Sequence, residues 1–431
     1  MIAHVAPADP LRRPGSAGPS ADPDEAPTGA VGRDPSRWHQ TLSFLIGLLL
    51  PVLHFRTEYV GTPLGVWERI TLVDLLLVCA LAGWSVTLRL QRLPAFSIFY
   101  LVAIGFAAVL AFARSMEMDP DVFIGLTAML VAFGYYVLGL NLGSRPILLR
   151  CFLLGLALST LGEAVIVYHD SLFRDQWFPD PMEGRARGTF KASGQLAAFG
   201  FSASGMLLIL GESSFGKRRA LLIVSGLLAA SFGLLASRRS AMIVMAVWAI
   251  LVLIFAWPLR RRIFYRALAG SAAALVLAAV LFWPQISTSF AANRLEDGVK
   301  GLASSEGFIR NQFAHTLESA PEWFPWGFGP GKGKLVNRED LQEHEIHNGL
   351  LAVVVELGAF GLLAFLGMVL GPLARLRYLG RNDRSLAVLT ATFLLTSLVF
   401  MTHNTLYRDR TFLVFLGILS GFVRKGEGSP A

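Results

Sequence analysis

Apolar runs of about 17 to 25 residues recur along this chain, separated by short charged patches, and that rhythm leaves few architectures open. A run of about 20 residues, rising ~1.5 Å per residue as a helix, crosses a hydrocarbon layer of ~30 Å. Unpaired backbone groups are intolerable in lipid, so each run must close its own hydrogen bonds as an α-helix; a barrel would instead show short alternating segments. Charge agrees, because only 16% of the 431 residues are charged and 54% are hydrophobic, against roughly 25% charged in soluble domains. The expected fold is all-α, a polytopic transmembrane bundle.

Spans are expected near 41–55, 70–88, 95–113, 121–142, 147–168, 189–210, 219–236, 240–257, 267–284, 347–371, 385–402 and 411–423. The first is short and holds Pro51, so the count is about 12. Residues 1–37, rich in Pro, Gly, Ala, Ser and Asp, read as a disordered tail rather than a signal peptide. Spans one to nine then occupy 38–284, a partly helical outer segment 285–346, spans ten to twelve 347–423 and a short tail 424–431. Within 285–346 the spacing of Phe308, Ile309, Phe313 and Leu317 predicts a helix near 305–320, stopped by Pro321.

The formal charge of +8 would suggest nucleic acid in a soluble protein, but here the excess lies in short loops. With the tail inside, the basic loops at Arg89/Arg92, Arg145, Lys217 to Arg219, Arg260 to Arg266, Arg375 to Arg384 and Arg424/Lys425 all fall on one side. By the positive-inside rule that side is cytoplasmic, as are both termini. The opposite face receives 169–188, the turn Ser237 to Ser240, the segment 285–346 and the loop from His403 to Arg410. Cys79 and Cys151 both fall inside spans, so neither a disulfide framework nor a thiolate metal site is expected.

Several polar residues on that outer face break the pattern. Arg238 and Arg239 sit between two spans where basic residues are disfavoured, and paired guanidiniums suit a phosphate or diphosphate; snorkelling to lipid phosphates is the competing explanation. Arg185, Arg187 and Lys191 bring three cations within seven positions to the mouth of the sixth span, more than interfacial anchoring needs. His347, followed by Asn348, stands where the outer segment meets the tenth span, a place for a partly desolvated general base or for a simple helix cap. His344 and His347 are three apart, which is not the His-Glu-x-x-His zinc pattern, and no metal is expected. Glu163 and Glu356 lie near outer ends of spans, able to pair with these arginines. Gly327 to Lys334 lacks phosphate-loop spacing and reads as a turn, while Gly358 and Gly361 read as a close helix contact. Trp323, Phe324, Trp326 and Phe328 offer either a sugar-stacking surface or membrane packing.

Three stretches, in order, resemble the O-antigen ligase and polymerase family of multi-span glycosyltransferases: Arg187-Gly-Thr-Phe-Lys-Ala-Ser-Gly-Gln-Leu-Ala, Ser237-Arg238, and Gly327-Phe-Gly-Pro-Gly followed by His347-Asn348 with Glu356, Gly358 and Gly361. The likeness covers about 185 to 370. It implies a GT-C-like bundle and transfer from a polyprenyl-diphosphate-linked glycan to a lipid or glycan acceptor, with membrane lipids but no nucleic acid as partners and no cofactor. It also implies that Arg187 and Arg238 hold the diphosphate and that His347 activates the acceptor; Arg239 is expected to assist, with Arg185, Lys191, Asn348 and Glu356 as supporting residues. Where the family has Asn-Pro-Asn-like residues this chain has Lys191 to Gln195, and Arg239 replaces a usually small residue. A flippase or other transporter is the alternative from a different class, since it too needs many spans and a cationic cavity.

Overall fold

The computed structural model describes residues 35–51, 72–88, 90–115, 120–173, 177–178, 187–190, 193–236, 244–245, 247–248, 250, 316–336, 343–346, 348–376, 384–402 and 405–427. The expectations for the tail over 1–34, for the ninth span and for the outer segment up to 315 lie outside the described residues, as does most of the eighth span. In chain order come α1 (Arg37–Leu49), α2 (Leu72–Thr87), α3 (Ala95–Ser115), α4 (Pro120–Ser144), α5 (Pro146–Leu172), α6 (Ser193–Glu212) and α7 (Gly216–Leu235). A single turn α8 (Ala320–Trp323) and strands β1 (Lys334–Val336) and β2 (Glu343–Glu345) then precede α9 (Gly349–Arg375), α10 (Arg384–Met401) and α11 (Arg410–Glu427).

The protein is a helical, membrane-embedded one. Five described helices are long and apolar enough to cross a membrane, within Ala95–Arg114, Pro120–Ser144, Pro146–Leu172, Ser193–Glu212 and Gly349–Arg375. Shorter apolar helices cover Asp74–Thr87, Leu386–Met401 and Arg410–Val423. On α3 the large side chains Phe96, Phe99, Val102, Phe106 and Val109 all face outward. That stripe would be a liability in water and suits a hydrocarbon surround. By contrast α6 is buried on nearly every side and forms the middle of the bundle.

Lipid gives helices no hydrophobic reason to associate, so close backbone approach must do so. The clearest instance joins α4 and α11, where Gly139 and Gly143 meet Gly417 and Gly421 at four-residue spacing on both helices. A Cβ on Gly139 would lie 2.0 Å from the Val414 carbonyl oxygen, and one on Gly417 2.2 Å from that of Tyr136, so only glycine fits. These pairs also fix the two helices as parallel. Helix α3 instead runs antiparallel to α9, with Phe96 beside Gly367 and Tyr100 beside Phe365. Alternation of this kind gathers Pro51, Asp74, Arg114, Asp121, Asp170, Arg187, Asn348 and Arg410 at one end of the bundle. At the other end, His39 bonds Thr87 at 2.7 Å and Asn141 accepts from Gln91 and Arg145.

Several local expectations change. Helix α1 begins before 41 and stops at Leu49. Pro51 has no N–H for the Gly47 carbonyl, which accepts the Ser159 hydroxyl at 3.3 Å instead. The helix expected near 305–320 lies mostly outside the described residues; residues 316–318 are helical and give way at Ser319, and Pro321 lies in the first turn of α8, where its missing donor is harmless. Beyond its helical part, the outer segment pairs β1 and β2 antiparallel with Leu335 opposite His344 just before α9.

Candidate functional site

Two polar clusters occupy the Arg187 end of the bundle. The first is built by buried carboxylates of α5. Glu163, 3% exposed, accepts the Thr189 amide at 2.8 Å through one oxygen and the Thr189 hydroxyl at 2.9 Å through the other. The turn it holds needs Gly188, whose φ is +57° and where a Cβ would lie only 1.8 Å from Glu163 Oε1. Two turns further along α5, Asp170 accepts the Trp177 amide at 2.8 Å and the Phe178 amide at 3.2 Å. The Phe178 carbonyl in turn accepts Nε of Arg187 at 3.3 Å. Arg187 is thus half-buried and its backbone and side chain are both fixed, just ahead of α6.

The second cluster surrounds a break in α9. Asn348 caps this helix, accepting the Leu351 amide at 3.0 Å. Ten residues on, Gly358 has φ +72° and ψ −174°, which interrupts the helical ladder. The freed groups are taken up by the glycine turn: Phe328 and Gly329 donate to the Val355 and Glu356 carbonyls at 2.7 and 2.9 Å, and Ala359 donates to the Pro325 carbonyl at 2.8 Å. Non-helical backbone at membrane depth is tolerated when protein covers it in this way. The same turn is seated on α3 and α4: Arg114 donates to the Gly327 carbonyl at 2.8 Å, and Gly331 touches Gly125 and Asp121. The reading of 327–334 as a turn holds, and the reading of Gly358 as a helix–helix contact does not. Gly361 faces Leu357 of its own helix, a result of the same kink.

Glu356, 1% exposed, sits at the break. One oxygen accepts the Gly333 amide at 3.0 Å and the other takes Nη2 of Arg408, from the short 3-10 turn Leu406–Arg408. Burial opposes the charge on Arg408, but Tyr407 and Glu356 outweigh it and raise its pKa, so the guanidinium stays ionised. Arg410, two residues on, binds Asp74 at 2.9 Å, and Tyr135 donates to the other oxygen of Asp74 at 3.0 Å. Between them Asp409 accepts the Phe412 amide at 2.6 Å, capping α11. Burial raises its carboxyl to about 6, against the Phe412 amide, Arg410 and the Thr411 amide, which pull it down.

Of the residues singled out from the sequence, Arg187, Asn348 and Glu356 are described, and all three lie toward one end of the bundle, in two distinct clusters. Arg185, Lys191, Arg238, Arg239 and His347 lie outside the described residues. Glu356 pairs with Arg408, and Glu163 holds the Arg187 turn through Thr189. The residues missed were Asp74, Arg114, Arg408 and Arg410. A signal existed for two of them: Arg408 and Arg410 stand in a short loop on the basic-poor face, the same anomaly that drew attention to Arg238. The aromatic segment faces two ways. Trp323 is buried and donates to Ser319, whereas Trp326 meets Phe106 edge-on and stacks with Phe360, all three on the exposed apolar surface. Trp326 thus continues the exposed apolar surface of α3 and α9. Neither a protein-family model nor a curated protein sequence matches the chain.

Proposed function

We propose that the chain is a membrane glycosyltransferase that transfers or polymerises a polyprenyl-diphosphate-linked glycan at the outer face of a cytoplasmic membrane. The observation that carries this reading is the Arg187 turn. Two carboxylates buried in α5, Glu163 and Asp170, serve to fix its backbone and that of Phe178, leaving a positioned cation at the membrane surface. Desolvating carboxylates in a membrane helix is costly and is kept where function requires it. In this scheme the diphosphate rests on Arg187, Arg238 and Arg239, with Arg185 and Lys191 alongside. His347 takes the proton of the acceptor hydroxyl as its oxygen attacks the anomeric carbon, and the bond to the lipid diphosphate breaks. The arginines stabilise the charge that develops on the departing diphosphate. The diphosphate is already an activated leaving group, so the reaction needs neither nucleotide nor cofactor. Asn348 sets the start of α9 next to His347, and Glu356 braces the same helix.

The break in α9 gives the transporter reading one point in its favour, since discontinuous helices form transport sites. Its freed groups at Val355, Glu356 and Ala359 are, however, all consumed by the 325–329 turn. One experiment separates the readings: purified protein in liposomes receives a labelled lipid-linked repeat, with or without a separate lipid acceptor. A new glycosidic bond is expected, lengthening marking a polymerase and transfer to the added lipid a ligase. Arg187→Ala is expected to lower turnover at least about a hundredfold, the loss typical of removing one group that stabilises transition-state charge. Counterflow of intact lipid-linked glycan with no bond formed would overturn the enzymatic reading.

A further inference from the structure

The exposed aromatic residue whose backbone is tied to the Arg187 cluster is Trp177. Its ring lies 4.0 Å from that of His169 at 15°, stacked on one face, and the residue is 53% exposed. Its backbone is not loose, because the amide is held by Asp170 Oδ1 at 2.8 Å. The other oxygen of Asp170 holds the Phe178 amide at 3.2 Å, and Phe178 holds Arg187 through its carbonyl at 3.3 Å. One buried carboxylate therefore ties the Trp177 backbone to the segment that holds Arg187, and it also meets Nδ1 of His169, on which the Trp177 ring stacks. An interfacial tryptophan that merely anchors the protein needs no such tie, since belts of Trp and Tyr work by amphipathicity alone.

We infer that Trp177 is the stacking platform for the sugar joined directly to the diphosphate that Arg187 grips. This rests on the glycosyltransferase reading and adds to it the element that distinguishes a glycosylated lipid diphosphate from a bare one. Sugar rings present a face of C–H groups with little polarity, and a rigid indole offers a large flat surface to that face at low entropic cost. His169 behind the ring keeps it from turning away. Arginine alone cannot make this distinction, because the diphosphate is common to the substrate and to the spent lipid carrier. A platform at this position favours substrate over the released lipid diphosphate and so opposes product inhibition.

The test compares binding of undecaprenyl diphosphate and of undecaprenyl-diphosphate-linked N-acetylglucosamine to the full chain in phosphatidylcholine nanodiscs. Wild type is expected to prefer the sugar-bearing lipid. In Trp177→Ala that preference is expected to fall about three- to tenfold with affinity for the bare diphosphate unchanged, the size of an aromatic stacking contact. Trp177→Phe is expected to keep most of it. A preference retained in Trp177→Ala, or equal loss for both lipids, overturns the platform and leaves the glycosyltransferase reading standing. Wild type that binds neither lipid overturns that reading and the platform with it.

Discussion

Asp409 shows how much one side chain carries at the Arg187 end of the bundle. It caps α11 between two arginines that each hold a buried carboxylate on another helix. Its folded-state carboxyl is raised to about 6 by burial, whereas an unfolded chain releases that proton near pH 4. Between these values the folded state binds more protons than the unfolded one, so this residue's contribution is fully favourable below about pH 4 and is lost as pH rises to about 6. Melting temperatures of the detergent-solubilised protein from pH 4 to 7 should show Asp409→Asn, which keeps a capping oxygen, gaining on wild type as pH rises. A constant difference across that range would mean that Asp409 does not titrate there. None of this was readable from the sequence, because Glu356 meets Arg408 across 52 residues and Asp74 meets Arg410 across 336. No periodicity relates positions on different helices. What was readable was a local anomaly of charge, and it singled out Arg187 and its neighbours because they are adjacent in the chain.

At the level of elements, length and apolarity served well. The expected spans 95–113, 121–142 and 385–402 correspond to α3 at 95–115, α4 at 120–144 and α10 at 384–401, since bilayer thickness sets how long an apolar run must be. What hydropathy does not contain is how helices meet. The glycines of α4 and α11 look like any small residues in an apolar run until the partner helix is present. Gly139→Leu should force these helices apart, at roughly 2 kcal/mol or more for an overpacked contact whose obstacle is backbone. Gly105→Ala on α3, where a Cβ meets nothing within 4 Å, is the control and should melt as wild type does. Equal melting of the two variants would show that the α4–α11 contact adds no stability. The break in α9 was equally hidden: Gly358 sits within a strongly apolar stretch, and the 325–329 turn, from an aromatic and glycine-rich stretch about thirty residues earlier, explains it.

Across the whole molecule, the two ends of the bundle differ in kind. One gathers ion pairs, a broken helix and the Arg187 turn, and the other joins helices through His39, Asn141 and the Arg219–Glu212 pair. Basic loops distinguish these ends in the sequence, whereas the contents of the site depend on contacts between distant segments that no loop charge reports. With Cys79 and Cys151 replaced by Ser, a single cysteine at Thr405 should react with a membrane-impermeant maleimide on intact cells, and one at Phe215 only after permeabilisation. The reverse pattern would invert the proposed orientation. The helix break also bears on how the molecule is made. Helices α3 and α4 and the turn that fills the gap all leave the ribosome before α9, so its interruption is met by protein as it inserts. Glu356 is synthesised 52 residues ahead of its counter-ion. The Gly333 amide that donates to that carboxylate is made before it, whereas Arg408 follows only just ahead of the last helix and completes the pairing.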